Sequence, residues 1–177
     1  PQSSATVSGS IQAVNDTPVA ADDMTALNGN QNTISDVLNT TLLSNDTDAD
    51  GDTLTITKIG GTPLTPGTAQ TINVENGTVN VDSAGNITFT PAANYAGAVS
   101  FAYTVSDGNG GTNSATVSGT ITNVNDTPVA GDDTTALNGN EDTTSAVLNT
   151  TLLSNDFDAE DDTLKITKIG GETLSGS

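Results

Sequence analysis

Acidic side chains recur at every second position in Asn45-Asp46-Thr47-Asp48-Ala49-Asp50-Gly51-Asp52. Four carboxylates within seven residues repel one another unless a cation sits among them. The short Asp side chain keeps its oxygens near the backbone, and Gly51 can take the left-handed turn that wraps such a loop round one ion. Asp46, Asp48, Asp50 and Gly51 match the first half of an EF-hand loop. The twelfth position, however, is Thr57 rather than Glu, and the flanks carry no helical stripe. The pattern reads as a Ca²⁺-type loop of another kind; the plain alternative is a solvated acidic turn.

Two further clusters carry oxygen ligands. Asn15 and Asp16 precede Pro18 and are followed by Asp22 and Asp23. Their competing reading is a polar linker of turn-forming Asx residues. Ser106-Asp107-Gly108-Asn109-Gly110-Gly111 is a glycine-rich turn in which Asp107 and Asn109 are candidate ligands. It is no phosphate loop, because no Lys follows and no helix begins there. Much of this set returns 110 residues later as Asn125, Asp126, Asp132, Asp133, Asp156, Asp158, Glu160 and Asp162. In the second copy Thr47 becomes Phe157, Asp50 becomes Glu160 and Gly51 becomes Asp161. Carboxylates survive at most places, and loss of the glycine leaves the geometry of that loop open.

Composition narrows the chemistry. The chain has 177 residues, with 22 acids against 3 Lys and no Arg, for a net charge of −19. Nothing on it grips a phosphate backbone or an anionic membrane. His and Cys are absent, which excludes Ser-His and Cys-His catalysis, zinc sites and disulfides. Asp outnumbers Glu 18 to 4, as suits tight loops that hold hard cations. No apolar run reaches membrane-spanning length. With no Met start or signal peptide, the chain reads as a piece of a longer or processed protein.

The elements that position these loops follow from a repeat. Aligning 1–67 on 111–177 leaves 21 differences, as expected of an array of sandwich-sized units. Residues 1–14 read as the last strand of a preceding repeat, 15–124 as one complete repeat and 125–177 as the first half of the next. Within the complete repeat the hydrophobic period is two, and strands are expected near 19–25, 53–59, 70–75, 78–82, 86–90, 99–106 and 112–123. Asn76-Gly77 marks a hairpin. Leu38 to Leu43 makes a short turn at most. Seven strands in about 110 residues indicate an all-β, Ig-like, Greek-key β-sandwich. Counting reversals back from 112–123 places the 46–52 loop at the C-terminal end of the sandwich, beside Asn125 and Asp126. The same count places the Asp107 loop at the opposite end, beside Asn15 and Asp16.

Three stretches carry a resemblance. Asn-Asp-Thr-Pro-Val-Ala is followed by Asp-Asp, then by Leu-Leu-Ser-Asn-Asp-Thr-Asp-Ala-Asp-Gly-Asp-Thr-Leu. Asn94-Tyr95-Ala96-Gly97 leads into Phe101-Ala102-Tyr103-Thr104-Val105-Ser106-Asp107-Gly108. Together they resemble the bacterial cadherin-like, Ig-like tandem repeats of giant RTX-type surface adhesins, over essentially the whole chain. The resemblance implies an extracellular, Ca²⁺-stiffened spacer for attachment or biofilm, on the bacterial surface or in a secreted matrix. Asp46, Asp48, Asp50 and Asp52 match its acidic loop, and Asn15 and Asp16 its linker. Neighbouring repeats, and other copies in a fibre, are the implied partners.

Three rival readings stand beside it. A carbohydrate-binding sandwich needs exposed aromatics, and Tyr95 is its best candidate, although Tyr95 also suits closure of the 91–98 loop. A glycosidase with paired carboxylates needs a cleft and a desolvated acid, and these acids lie on exposed turns. No enzyme is therefore expected. A filament completed by strand sharing between chains is the third.

Overall fold

The computed structural model describes residues 1–134, 137–144 and 146–174. The chain divides into two units, Pro1–Asn123 and Val124–Ser177. The first carries β1 (Gly29–Asn30), α1 (Asn39–Leu42), β2 (Thr55–Ile59), β3 (Thr62–Pro63), β4 (Gln70–Val74), β5 (Gly77–Val81), β6 (Ile87–Pro91), β7 (Gly97–Ser106) and β8 (Thr112–Thr122). The second carries α2 (Asn149–Leu152), β9 (Lys168–Ile169) and β10 (Glu172–Thr173). The two helices are single turns, and among the described residues no helix is long and apolar enough to cross a membrane.

The first unit is a two-sheet sandwich. One sheet runs β1-β8-β7-β2-β3 and the other β4-β5-β6. Alternation decides which side chains meet between them. Val99, Phe101, Tyr103 and Val105 of β7 point inward, as do Ala115, Val117 and Ile121 of β8. Val79 and Val81 of β5 and Ile87 and Phe89 of β6 face them from the other sheet. The Phe89 and Phe101 rings lie 6.1 Å apart, centroid to centroid, in a tilted pair. Each fully buried side chain of this kind contributes about 1.5–3 kcal/mol. That is how an aromatic-poor chain still fills a core.

Two expectations change in detail. The 19–25 segment forms no continuous strand. It touches the sandwich through isolated bridges, Val19 with Thr47 and Asp23 with Val117, and the edge is completed by β1, which runs parallel to β8. Side chains replace part of the ladder. Asp22 Oδ1 accepts the Thr116 N–H and Asn28 Oδ1 accepts the Thr120 N–H, both at 2.8 Å. The 75–78 hairpin turns one residue earlier than Asn-Gly suggests. Asn76 holds the positive φ of 59°, and Gly77 is already in β5. Gly77 is glycine because a Cβ there would run into the Thr90 carbonyl and the Phe89 ring.

Strand direction also departs from the reversal count. Thr55 pairs with Ser106 and Ile59 with Tyr103, so β2 is antiparallel to β7 and starts at the end where β7 finishes. The count placed it the other way round. It missed β3, a two-residue strand that folds back on β2 after Gly60-Gly61, both with positive φ.

Residues 1–14 lie outside any assigned strand, with Val7, Ile11 and Val14 exposed. In the second unit Val129 and Phe157 exchange backbone hydrogen bonds, as Val19 and Thr47 do in the first.

Candidate metal centre

Three segments of the first unit converge at the end where β7 finishes and β2 and β8 begin. The first is the loop after α1. Asp48 Oδ1 accepts the N–H groups of Asp50 at 2.9 Å and Asp52 at 3.2 Å, closing an Asx-type turn completed by Gly51 at φ 77°. This leaves Asp48 Oδ2 inside, buried and without a hydrogen-bond partner. A buried carboxylate oxygen in that state is costly unless a cation meets it.

The second is the β7–β8 turn. Asp107 is buried and accepts N–H groups from its own turn: Asn109 N at 2.8 Å, and Gly111 N at 2.9 and 3.0 Å to its two oxygens. Gly108 and Gly110 take positive φ. Gly111 leaves room that a Cβ would take from the Asp107 carboxylate and Pro18. The third is the leading segment, where Asn15 Nδ2 donates to Asp107 Oδ2 at 2.9 Å. Asp16 N donates to Asp50 Oδ2 at 2.7 Å, and Asn109 Nδ2 joins the loops by donating to Asp52 Oδ2 at 2.7 Å. The Asn15 amide, followed by the turn's backbone N–H groups, holds the Asp107 carboxyl below its ordinary range. A general acid needs the opposite shift.

Carboxylate oxygens of Asp48, Asp52 and Asp107 lie within 4.8 Å of one another. Three hard oxygen donors so close, one of them buried and unsatisfied, fit a Ca²⁺ ion with its preference for oxygen ligands. These three would hold it, with Asn15, Asp16, Asp50 and Asn109 fixing the loops around them.

The other candidates lie elsewhere. Asp22 serves the β8 edge through Thr116. Asn45 Nδ2 donates to the carbonyls of Ala21 and Asp22 at 3.3 and 3.2 Å. Asp46 Oδ1 accepts the Ala21 N–H at 2.8 Å. Asp23 is buried and hydrogen-bonds Tyr103. Alternation along Asp22-Asp23 was the signal for this, since adjacent residues on an extended edge face opposite sides. Tyr95 is committed too: its hydroxyl donates to the Ala98 carbonyl at 2.7 Å and accepts from Asn76 at 3.0 Å. It closes the 91–98 loop.

The expected junction of Asp46–Asp52 with Asn125 and Asp126 is corrected by this geometry. The 45–52 loop meets Asn15, Asp16 and the Asp107 turn, because β2 runs opposite to the direction counted. Asp126 is served within its own unit, its N–H donating to Glu160 Oε2 at 3.0 Å. The second unit repeats the turn. Asp158, buried, accepts the N–H groups of Glu160 and Asp162, both at 3.1 Å. Gly131 N donates to Asp156 Oδ1 at 2.9 Å, Asn125 Nδ2 to the Asp126 carbonyl at 2.9 Å and Asn155 Nδ2 to the Asp132 carbonyl at 3.2 Å. Asp132 and Asp133 are exposed. The glycine loss does not change the turn, for Asp161 takes the left-handed φ of 57° where Gly51 has 77°.

No curated protein and no solved structure matches the chain significantly. The family model of the Cadherin-like domain matches residues 14–122 and again residues 124–177, and the chain belongs to that family of β-sandwich domains.

Proposed function

We propose that this chain is a Ca²⁺-stiffened extracellular structural segment, a spacer within a bacterial surface adhesin or biofilm-matrix protein, with neighbouring repeats of the same chain as its partners. Cadherin-like domains are a non-enzymatic family typical of extracellular adhesive and structural repeats. The observation that carries the metal reading is the buried, unpartnered Oδ2 of Asp48, a residue whose carboxylate lies within 4.8 Å of those of Asp52 and Asp107. The mechanical role rests on what the cluster holds. Asn15 and Asp16, which lead into the unit, are tied to Asp107 and Asp50. An ion that fixes the loops also fixes this segment. At −19 net charge, a chain whose loops are loosened repels itself and extends irregularly.

Calorimetric titration of the 177-residue chain tests the reading. Ca²⁺ should bind, Mg²⁺ far more weakly because it dehydrates reluctantly and demands a tight octahedron, and Asp48→Asn with Asp52→Asn should abolish the heat. Equal heats for both ions, or heats unchanged in the double variant, would place binding on diffuse surface charge. Small-angle scattering in Ca²⁺ and in chelator then reads stiffness: a maximum dimension unaffected by chelation overturns the spacer mechanism.

A further inference from the structure

The hydroxyl of Tyr103 sits among five oxygens: Asp23 Oδ2 at 2.8 Å, the Leu42 carbonyl at 2.8 Å, the Ala21 carbonyl at 3.2 Å, and Asp46 Oδ1 and Oδ2 at 3.3 and 3.4 Å. With both carboxylates ionised, every one of these oxygens is an acceptor, and a tyrosine has one proton to give. Two of them stand at 2.8 Å, and an oxygen pair at that distance without a proton between is repulsive. One proton is missing from the count.

Only one placement satisfies both short contacts. A proton on Asp23 Oδ2 donates to Tyr103 Oη, and Tyr103 then donates to the Leu42 carbonyl. A proton on Asp46 instead would leave Asp23 and Leu42 competing for the single tyrosine proton. Asp46 also already accepts the Ala21 N–H at 2.8 Å, as an ionised carboxylate does. Tyr103 and Asp23 are buried, and no water fits between oxygens 2.8 Å apart, so both short contacts need a proton of their own. We infer that Asp23 is a protonated carboxylic acid in the folded unit and acts, through Tyr103, as a proton-dependent latch joining the 21–23 edge segment, the end of α1 and β7.

The groups facing Asp23 are Tyr103 from β7, Asp46 and Asn45 from the loop after α1, and Asp22 beside it in sequence, and none of them is a cation. Burial, and behind it the charge of Asp46, pushes the Asp23 carboxyl above its ordinary value, against the hydrogen bond that Tyr103 would donate to the ionised form. The Tyr103 hydroxyl is itself pushed up by burial and Asp23, so it stays a donor. A carboxyl raised in the folded state adds stability that is complete below the unfolded value of about 3.9 and is lost as pH rises through the folded value. The latch therefore loosens on the alkaline side.

Carboxyl-carbon NMR of the full chain, labelled at Asp and kept in millimolar Ca²⁺, tests the proton directly. Asp23 should still carry its proton at pH 7, and an ionised Asp23 carboxylate at that pH overturns the inference. Asp23→Asn supplies a neutral donor to Tyr103 at every pH. Its Tm should equal or exceed the wild-type Tm at pH 8, with the difference shrinking or reversing towards pH 4. A variant less stable at pH 8 than at pH 4, relative to wild type, also overturns it, and should the variant not fold, the wild-type titration decides alone.

Discussion

Replacing Asp48 by Asn separates a cation ligand from a turn former, because the two roles respond with opposite signs. Asparagine keeps an oxygen for the N–H groups of Asp50 and Asp52 and removes only the charge. The Asp48 and Asp52 oxygens lie within 4.8 Å. Two unit charges at that distance repel by about 0.9 kcal/mol at the dielectric of water and about 3.5 kcal/mol at an effective dielectric of 20. Both residues are half-buried, and solvent screening brings the figure to about 1 kcal/mol. In chelator, Asp48→Asn should therefore raise Tm by roughly 4 °C for a unit of this size. In Ca²⁺ at 100 times Kd the wild type gains about 2.7 kcal/mol, roughly 10 °C, and the variant gains little. The order of the two melting curves should invert between chelator and Ca²⁺. Circular dichroism melts at fixed ionic strength read this directly. If Asp48→Asn lowers Tm equally in both conditions, Asp48 serves only to hold its turn and the cation argument fails.

Asp161→Gly relieves a left-handed φ of 57° in the second unit and should stabilise it by about 1 kcal/mol, read as later loss of structure in denaturant. Gly77→Ala forces a Cβ against Thr90 and Phe89 and should cost about 1–3 kcal/mol, measured as a lower denaturant midpoint with unchanged slope. Asp107, held below its ordinary range first by Asn15, contributes stability that is present above the unfolded value of about 3.9 and lost as pH falls through the folded value. Asn15→Ala should shift that acid-side loss to higher pH, and an unshifted acid transition would show that the Asn15 contact adds nothing.

Much of this architecture is legible where one force dominates. Period-two patterning gave six strands to within about two residues, because a half-buried strand has to alternate. The 19–25 segment resisted the same reading. Its pairing depends on Asp22 and Asn28 replacing backbone acceptors on the β8 edge, which no hydrophobic pattern records. The acidic loops were legible as ion-binding material by residue type, whereas their partners were not. Partnership depends on strand direction, and β3 is too short to leave a periodic signal, so one unseen reversal sent the 46–52 loop to the wrong end. Sorting Asp23 and Asp46 from Asp48 and Asp52 needed the partner of each carboxylate. Asp23 and Asp46 meet the inward tyrosine Tyr103, while Asp48 accepts its own turn's N–H groups and Asp52 accepts the Asn109 amide.

The way these loops satisfy their carboxylates would couple a bound ion to folding. Asp48 gives one oxygen to its own turn, and that bond fixes the direction of the other before any ion arrives. Asp107 is fixed more firmly still, by the N–H groups of a turn in which Gly108 and Gly110 take positive φ and Gly111 has no room for a Cβ. Prefixed oxygens lower the ordering cost of binding. The same fixation stops the carboxylates from swinging apart when no ion is present. Affinity and ion-free instability thus rise together, and neither can be tuned alone by loosening a turn. Asp158 in the second unit repeats the N–H pattern although Glu160 and Asp161 replace the acid and the glycine of the first. What the two copies share is therefore the turn that aims the oxygen, more than the identity of each acid around it.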